Sequence, residues 1–461
     1  MSSKTYDVIV IGAGPAGEVL AGRLAARGQD VALVERELVG GECSFYACMP
    51  SKALLRPAQA LAEARRVPGA AQAVTGKLDV AAVLRRRDDV IHELDDAVQL
   101  PWIEEHAITL LRGHARLEGE RRVCVDGGEP IEARSAVVLA VGSGPALPPI
   151  PGLAESEPWT NREATTAQAV PARLIVLGGG AVGVEMAQAY ATLGCAVTLV
   201  EGEQRLLPRE EAFAGEQLRD ALVELGVDVH VGVRAERVSR DAGTVSVALD
   251  DGTTVPGDEI LVAVGRRPRT RDLGLETVGL EPGELVEVDE RLQVPGKPWL
   301  YAIGDVNGRS LLTHMGKYQA HVLSQILDGG EMRATSDIAG APRVVFTEPQ
   351  VAAVGMTLQR AADAGLDARA YDVPTSATAG ASFYGRDTPG SCRIIVDEAR
   401  SVIVGATFTG TDVADWLQAA TIAIVGETPI AQLWHAVPAF PTRSEVWLRL
   451  LEEREQKLAG G

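Results

Sequence analysis

One pattern occurs twice in this chain, and no other feature limits the fold as much. Residues 7–12 read Asp-Val-Ile-Val-Ile-Gly, a short β-branched run of the kind that forms a buried parallel strand. It runs into Gly12-Ala-Gly14-Pro-Ala-Gly17, then an Ala/Leu-rich helical stretch to about Arg27, then a strand Val31–Val34 ending at Glu35. The series returns as Arg173-Leu-Ile-Val-Leu-Gly178, the loop Gly178-Gly-Gly180-Ala-Val-Gly183, a helix to about Gly194, and a strand Val197–Val200 ending at Glu201. From the last glycine to the glutamate is 18 positions in each copy. The first glycine permits a tight turn, the second lets backbone approach a pyrophosphate, and the third lets helix pack on strand. The phosphates sit at the helix N-terminus, where free N–H groups and the dipole favour anions. The terminal glutamate suits ribose hydroxyls. A single glycine motif is weak evidence, but two copies with strand, helix and acid in place define two dinucleotide-binding domains.

Each copy has a matching tail. Arg122–Val125, a Gly127-Gly128 turn and Ala136–Gly142 follow the first; Thr244–Leu249, an Asp251-Gly252 turn and Ile260–Gly265 follow the second. Alternation around a Gly-containing turn reads as a hairpin, so a small antiparallel insert precedes the last parallel strand of each unit. Two dinucleotides on one chain imply electron transfer between them.

Length and composition agree with this reading. At about 150 residues per domain, 461 residues give about three domains. A formal charge of −19 makes nucleic acid or an anionic membrane a poor partner. No stretch reads as a membrane span, and the leader to Asp7 lacks a basic segment and a long apolar one, which points to the cytoplasm. There thiols stay reduced, and a close cysteine pair suggests redox or metal chemistry.

The close pair is Cys43 and Cys48, in Gly40-Gly-Glu-Cys43-Ser-Phe-Tyr-Ala-Cys48-Met-Pro-Ser-Lys52. Five residues of ideal helix rise about 7.5 Å, beyond the usual Cα separation of a disulfide, so a bonded pair requires a distorted segment. Cys48 beside a helix N-terminus should have a stabilised thiolate, whereas Glu42 should disfavour one at Cys43. Two separate buried thiols are the bland alternative; zinc lacks a third ligand nearby.

At this point the chain resembles the pyridine nucleotide–disulfide oxidoreductases, the family of glutathione reductase, dihydrolipoamide dehydrogenase and mercuric reductase, over nearly its whole length. The family's redox motif is Gly-Gly-Thr-Cys-Leu-Asn-Val-Gly-Cys-Ile-Pro-Ser-Lys. Here both glycines, both cysteines and Pro50-Ser51-Lys52 are kept, while Ser44-Phe45-Tyr46-Ala47 replaces Leu-Asn-Val-Gly. The resemblance implies an α/β fold: two Rossmann-like domains with antiparallel inserts and a C-terminal α+β dimerisation domain. The segments would be 1–150 for FAD, 151–267 for NAD(P), 268–336 for FAD again, and 337–461 for dimerisation. It implies a redox-active Cys43–Cys48 disulfide, with Cys48 facing the flavin and Cys43 attacking substrate.

Further positions carry over one at a time. Gly12, Gly14, Gly17 and Glu35 would serve FAD, and Gly178, Gly180, Gly183 and Glu201 the nicotinamide coenzyme. Ala302-Ile-Gly304-Asp305 resembles the second FAD signature, whose aspartate meets the ribityl and phosphate region. The strands ending at Gly142 and Gly265 match, as does the Gly113-His114-Ala115 loop at the adenine. Glu185 resembles the glutamate paired with the motif lysine, Lys52, beside the flavin; by themselves these two read as surface charges. Thr313-His314 falls where backbone meets the flavin pyrimidine.

The C-terminal third departs from the family. A His-Pro-Thr-x-x-Glu element there supplies an acid–base histidine to the partner subunit, oriented by the glutamate. This chain reads Phe440-Pro441-Thr442-Arg443-Ser444-Glu445. Pro441, Thr442 and Glu445 match, and Phe440 stands in the histidine's place. His435 lies five positions upstream, and a mercuric reductase's extra C-terminal cysteines are absent. The expectation is therefore a homodimeric FAD enzyme that takes hydride from NADH, with NADPH disfavoured by Glu201 unless Arg205 or Arg209 swings in. Its acceptor would be a non-standard small molecule. The rivals are a quinone or metal-ion reductase, a dihydrolipoamide dehydrogenase-like enzyme using another base, and a redox-sensing binding protein without turnover.

Overall fold

The computed structural model describes residues 4–385 and 389–460, so the leader residues 1–3 lie outside it. The chain divides into two compact units: residues 1–50, 87–146 and 266–338 form one, and residues 51–86, 147–265 and 339–461 the other.

In the first unit the apolar run becomes β1 (Thr5–Ile11). It lies between β2 (Val31–Glu35) and the last strand of the insert, parallel to both. Helix α1 (Pro15–Ala25) connects β1 to β2. The helix stops two residues before the sequence pattern does, because Gly28 at φ +81° turns the chain out of the helix. β3 (Thr109–Arg112) extends the sheet beyond β2. The insert is β4 (Ala115–Leu117), β5 (Arg122–Val125) and β6 (Ile131–Leu139). The sheet order is β3-β2-β1-β6-β5-β4. β6 begins antiparallel to β5 and continues parallel to β1, so one strand serves both hairpin and Rossmann sheet. A late strand, Leu300–Ala302, adds in parallel to β6. β7 (Ser143–Pro145) pairs with Arg266–Pro268.

In the second unit β8 (Arg173–Leu177), β9 (Ala196–Glu201), β10 (Asp228–Val231) and β14 (Glu259–Val262) form a parallel sheet of order β10-β9-β8-β14. The insert is a separate antiparallel sheet of β11 (Ala235–Asp241), β12 (Thr244–Leu249) and β13 (Thr254–Gly257). The Asp251-Gly252 turn joins β12 to β13, and not to the parallel strand as the tail pattern implied. Helix Ala181–Thr192 packs on β8 and β9, buried with Leu174, Val176, Val197 and Leu199. Residues 340–450 build a five-stranded antiparallel sheet in the order Arg343–Val345, Gln350–Gly355, Val402–Gly410, Ser391–Asp397, Ala368–Pro374. The expected hairpin around 397–400 is its centre. Helices Leu417–Val425 and Val446–Gly460 share its core through Leu417, Ala420, Val446 and Leu450. Among the described residues, no helix is long and apolar enough to cross a membrane.

Candidate functional site

The two glycine loops share one geometry. Gly12 and Gly178 sit at φ +103° and +108°, and a Cβ on either would come within 2.5 Å of the carbonyl oxygen of Ala140 or Ala263. A Cβ on Gly17 would lie 1.9 Å from the Gly12 oxygen, and on Gly183 1.8 Å from the Gly178 oxygen. Both positions therefore exclude any side chain. Gly14 and Gly180 have nothing within 4 Å of the Cβ position. That is the open cradle a pyrophosphate needs at a helix start, and neither helix N-cap is closed by a side chain. The residues present thus fit two dinucleotides.

The glutamates also match. Glu35 Oε2 accepts from Ala13 N at 2.7 Å and Oε1 from Glu37 N at 2.7 Å. Glu201 Oε2 accepts from Gly179 N at 2.5 Å and Oε1 from Glu203 N at 2.7 Å. Each carboxylate is fixed at its strand end by the loop beside it. Arg205 Nη2 donates to the Pro208 and Glu210 carbonyls at 3.0 and 3.3 Å, so its guanidinium is held by its own loop. Arg209 is exposed.

At the C-terminal ends of β6 and the Leu300–Ala302 strand, a turn over Gly304–Asn307 presents Asp305. Ser143 Oγ donates to Asp305 Oδ2 at 2.5 Å, and Arg266 Nε donates to Ser143 Oγ at 2.7 Å. Sequence reasoning missed Ser143 and Arg266. Their signal was available: each directly follows the glycine, Gly142 or Gly265, that closes its copy's last strand. Ala115 opens β4, after a Gly113 at φ +142° and a His114 whose N–H is taken by Asp126 at 2.8 Å. Burial lowers the His114 pKa. His314 is exposed on the first turn of helix Thr313–Leu327.

The cysteine segment is broken as a close pair requires. Helix α2 (Gly41–Phe45) ends at Tyr46, φ −131° and ψ −1°, and α3 (Cys48–Arg66) starts at Cys48 itself. Gly41, at φ +60°, makes room for the segment, since a Cβ there would lie 2.8 Å from Gly14 Cα. The segment, two residues before Cys43, is thus seated on the first phosphate loop. Both thiols are half-buried, and they lie close enough to act on each other. Cys48 Sγ lies 3.4 Å from Thr313 Oγ1. The hydrogen bond from Cys48 and burial push the Cys43 thiol well up; Thr313 and Lys317 oppose them. Glu42, expected to act on Cys43, instead gives its carboxylate to Arg269 Nη2 at 2.5 Å. Thr313 and Arg269 come from residues more than 200 positions away, and no local pattern announced them.

In the second unit Lys52 Nζ meets Glu185 Oε2 at 2.7 Å. Glu185 is buried and accepts from Phe346 N at 2.9 Å, while the ammonium lies 4.7 Å from the Phe346 ring centroid. The surface-charge reading of Glu185 fails, because a carboxylate this buried requires its partners. Phe440 is 77% exposed and joined to Pro441 by a cis peptide. Glu445 is buried, with no hydrogen-bond partner for Oε2. Arg443, stacked 4.5 Å from Tyr384 and 4.4 Å from Trp416, pins the element between them. His435 is exposed. Among the described residues, no three His, Cys, Asp or Glu side chains cluster as a metal site.

The chain is similar to known proteins along most of its length. Residues 6–321 match the model of the pyridine nucleotide-disulphide oxidoreductases, and residues 341–450 that of their dimerisation domain. A dihydrolipoyl dehydrogenase of Thermus scotoductus is 34% identical, over 96% of both chains. A mercuric reductase of Staphylococcus aureus is 30% identical, over 95% of this chain and 81% of its own. Among solved structures, the HOCl-induced flavoprotein disulfide reductase RclA from Escherichia coli superposes with a TM-score of 0.86 at 27% identity, over 97% of this chain and 99% of that one.

Proposed function

The chain belongs to the pyridine nucleotide-disulphide oxidoreductase family, and from that premise we propose an NADH-dependent reductase whose acceptor is not an ordinary low-molecular-weight disulfide. Family members are flavoprotein oxidoreductases, so the alternative of a sensor without turnover falls. One observation carries the reading of the acceptor: the thiol pair is assembled, and the element that should bring a histidine to it bears an exposed phenyl ring at Phe440.

FAD would lie on Gly12, Gly14, Gly17 and Glu35, with Ala115, Gly142, Gly304, Asp305 and His314 completing its site. NADH would lie on Gly178, Gly180, Gly183, Glu201 and Gly265. Bound FAD supplies two-electron exchange with the coenzyme on one side and the thiol pair on the other. Cys48 is the thiol on the flavin side; Cys43 attacks the acceptor. Lys52, held by Glu185, places a positive charge for reduced flavin to meet. NADH is favoured because Glu201 presents a carboxylate at the ribose position and Arg205 is held by its own loop.

A phenyl ring cannot protonate a departing thiolate. The acceptor is therefore flat or hydrophobic, or carries its own proton or a good leaving group. A metal ion is the second reading, supported by the mercuric reductase relatives and by RclA, also solved as a Cu(II) complex. The enzyme acts as a homodimer, in which Ile422, Val425, Val437 and Phe440 offer exposed apolar surface to a second copy. It works in the cytoplasm.

Phe440→His tests the acceptor reading. Wild type should turn over lipoamide and glutathione disulfide weakly despite normal flavin reduction by NADH. The variant should gain about tenfold or more, since general acid–base help is worth roughly 10²–10⁴ in rate. Strong wild-type activity on either disulfide would overturn the reading. Anaerobic NADH titration separates disulfide relay, with uptake by flavin plus thiol pair, from direct flavin-to-acceptor transfer.

A further inference from the structure

Behind the Asp305 turn lies a buried polar chain that neither the motifs nor the family signatures single out. Gly304 sits at φ +76° and opens the 304–307 turn, so its N–H has no acceptor within the turn. Gln319, fully buried on helix Thr313–Leu327 among Ala320, Val322 and Leu323, supplies one. Its Oε1 accepts from Gly304 N at 2.7 Å and from Asn307 Nδ2 at 2.9 Å. Two donors on one oxygen fix which way the amide points, so its NH₂ must face the other side. There Nε2 donates to Asp337 Oδ2 at 3.0 Å. The same carboxylate oxygen meets Arg309 Nε at 2.9 Å, and Arg309 Nη2 donates to the Ala334 carbonyl at 2.9 Å. Asn307 Oδ1 accepts from Arg309 N at 3.0 Å, which closes the network on the turn. An apolar residue at 319 would pack as well with the helix's buried neighbours. The amide is needed because the turn leaves a buried donor that only a remote acceptor can meet.

We propose that Gln319 is a positioning residue for FAD: its amide, oriented by Asp337 and Arg309, caps the 304–307 turn and so sets where Asp305 stands toward the cofactor. The proposal rests on the reading that Asp305 faces bound FAD. It extends that site by Gln319, Arg309 and Asp337, which lie behind the Asp305 turn, the last of them next to the point where the chain leaves the first unit.

The test is FAD binding to apoprotein, followed by flavin fluorescence, with the visible absorption and circular dichroism of the bound flavin as second readout. Gln319→Met keeps the volume and removes the amide. It should weaken FAD binding about 10- to 100-fold, the effect of leaving buried donors unmet, and change the flavin's visible bands. Gln319→Glu/Asp337→Asn exchanges acceptor and donor along the chain: the new carboxylate takes Gly304 and Asn307 and accepts from the new amide, whose nitrogen replaces the oxygen that met Arg309. That double variant should bind FAD more tightly than Gln319→Glu alone, in which two carboxylates face each other, without reaching wild type, because Arg309 loses its carboxylate partner. If Gln319→Met does not fold, the single and double exchanges make the same comparison. Wild-type affinity and spectrum in Gln319→Met would overturn the proposal, and so would a double exchange no better than the single. Failure of the underlying reading looks different: Asp305→Asn would then hold FAD as wild type does.

Discussion

The two glycine loops are near-copies at the scale of ten residues and differ at the scale of the domain. Both place open backbone at the middle glycine, and both fix a glutamate by the same two backbone N–H groups. Their surroundings diverge. In the first unit β6 continues from hairpin into parallel sheet, and the strand Leu300–Ala302 returns to carry Asp305. In the second the insert stands apart as three strands, and Gly265 is exposed. The first loop also has the cysteine segment on its middle glycine, and Glu18 follows its last glycine where Val184 follows the second. A phosphate loop is thus a local device. What a bound dinucleotide meets beyond its phosphates is assembled from distant chain.

The largest effects should come from closing each loop in turn. Gly17→Val drives a side chain into the Gly12 carbonyl and should yield protein without flavin. Gly183→Val should purify yellow, keep reduction by dithionite, and lose about 100-fold or more in its rate of reduction by NADH. Flavin content and stopped-flow reduction read the pair, and a shared phenotype would break the assignment of one cofactor to each copy. A smaller effect is expected at the strand ends. Glu201→Gln should lower kcat/KM for NADH about tenfold and narrow the preference over NADPH, a loss of about 1.4 kcal/mol. Glu35→Gln should leave the coenzyme ratio unchanged. NADPH matching NADH in wild type would end this reading of Glu201.

The smallest effect concerns Glu18. Burial, with Glu35 and Asp96 adding to it, pushes its carboxyl up to about 7, against the pull of Lys317. The folded state therefore binds the proton more tightly than the unfolded chain, where the group titrates near 4.5. Stability should fall as pH rises between those values and level off above them, by about 1–3 kcal/mol at most. Glu18→Gln should flatten that part of the Tm–pH profile. An unchanged slope would locate the titrating group elsewhere.

Much of this was readable in advance. β1, α1 and β2, and β8, its helix and β9, follow from apolar runs, glycine spacing and a terminal acid, all local rules. The break between Cys43 and Cys48 followed from the length of an ideal helix. The reading failed where one local pattern served two structures. Alternation before Gly142 and before Gly265 looked alike, yet one is a single bent strand and the other two strands with Asp258 between them. Nothing local separates these, because the choice depends on which neighbour each strand finds.

The sequence by itself determined the two loops, the thiol pair, the substitution at Phe440 and the family, since each is a matter of residue type and spacing along the chain. Tertiary structure alone decided that Thr313 meets Cys48, that Arg269 takes Glu42 away from Cys43, that Glu185 is buried rather than exposed, and that Gln319 caps the Asp305 turn. These are single hydrogen bonds and ion pairs between residues that are mostly far apart in the chain. Such a bond leaves no periodicity for sequence reasoning to find, and it forms only once packing has excluded water from the groups that need each other.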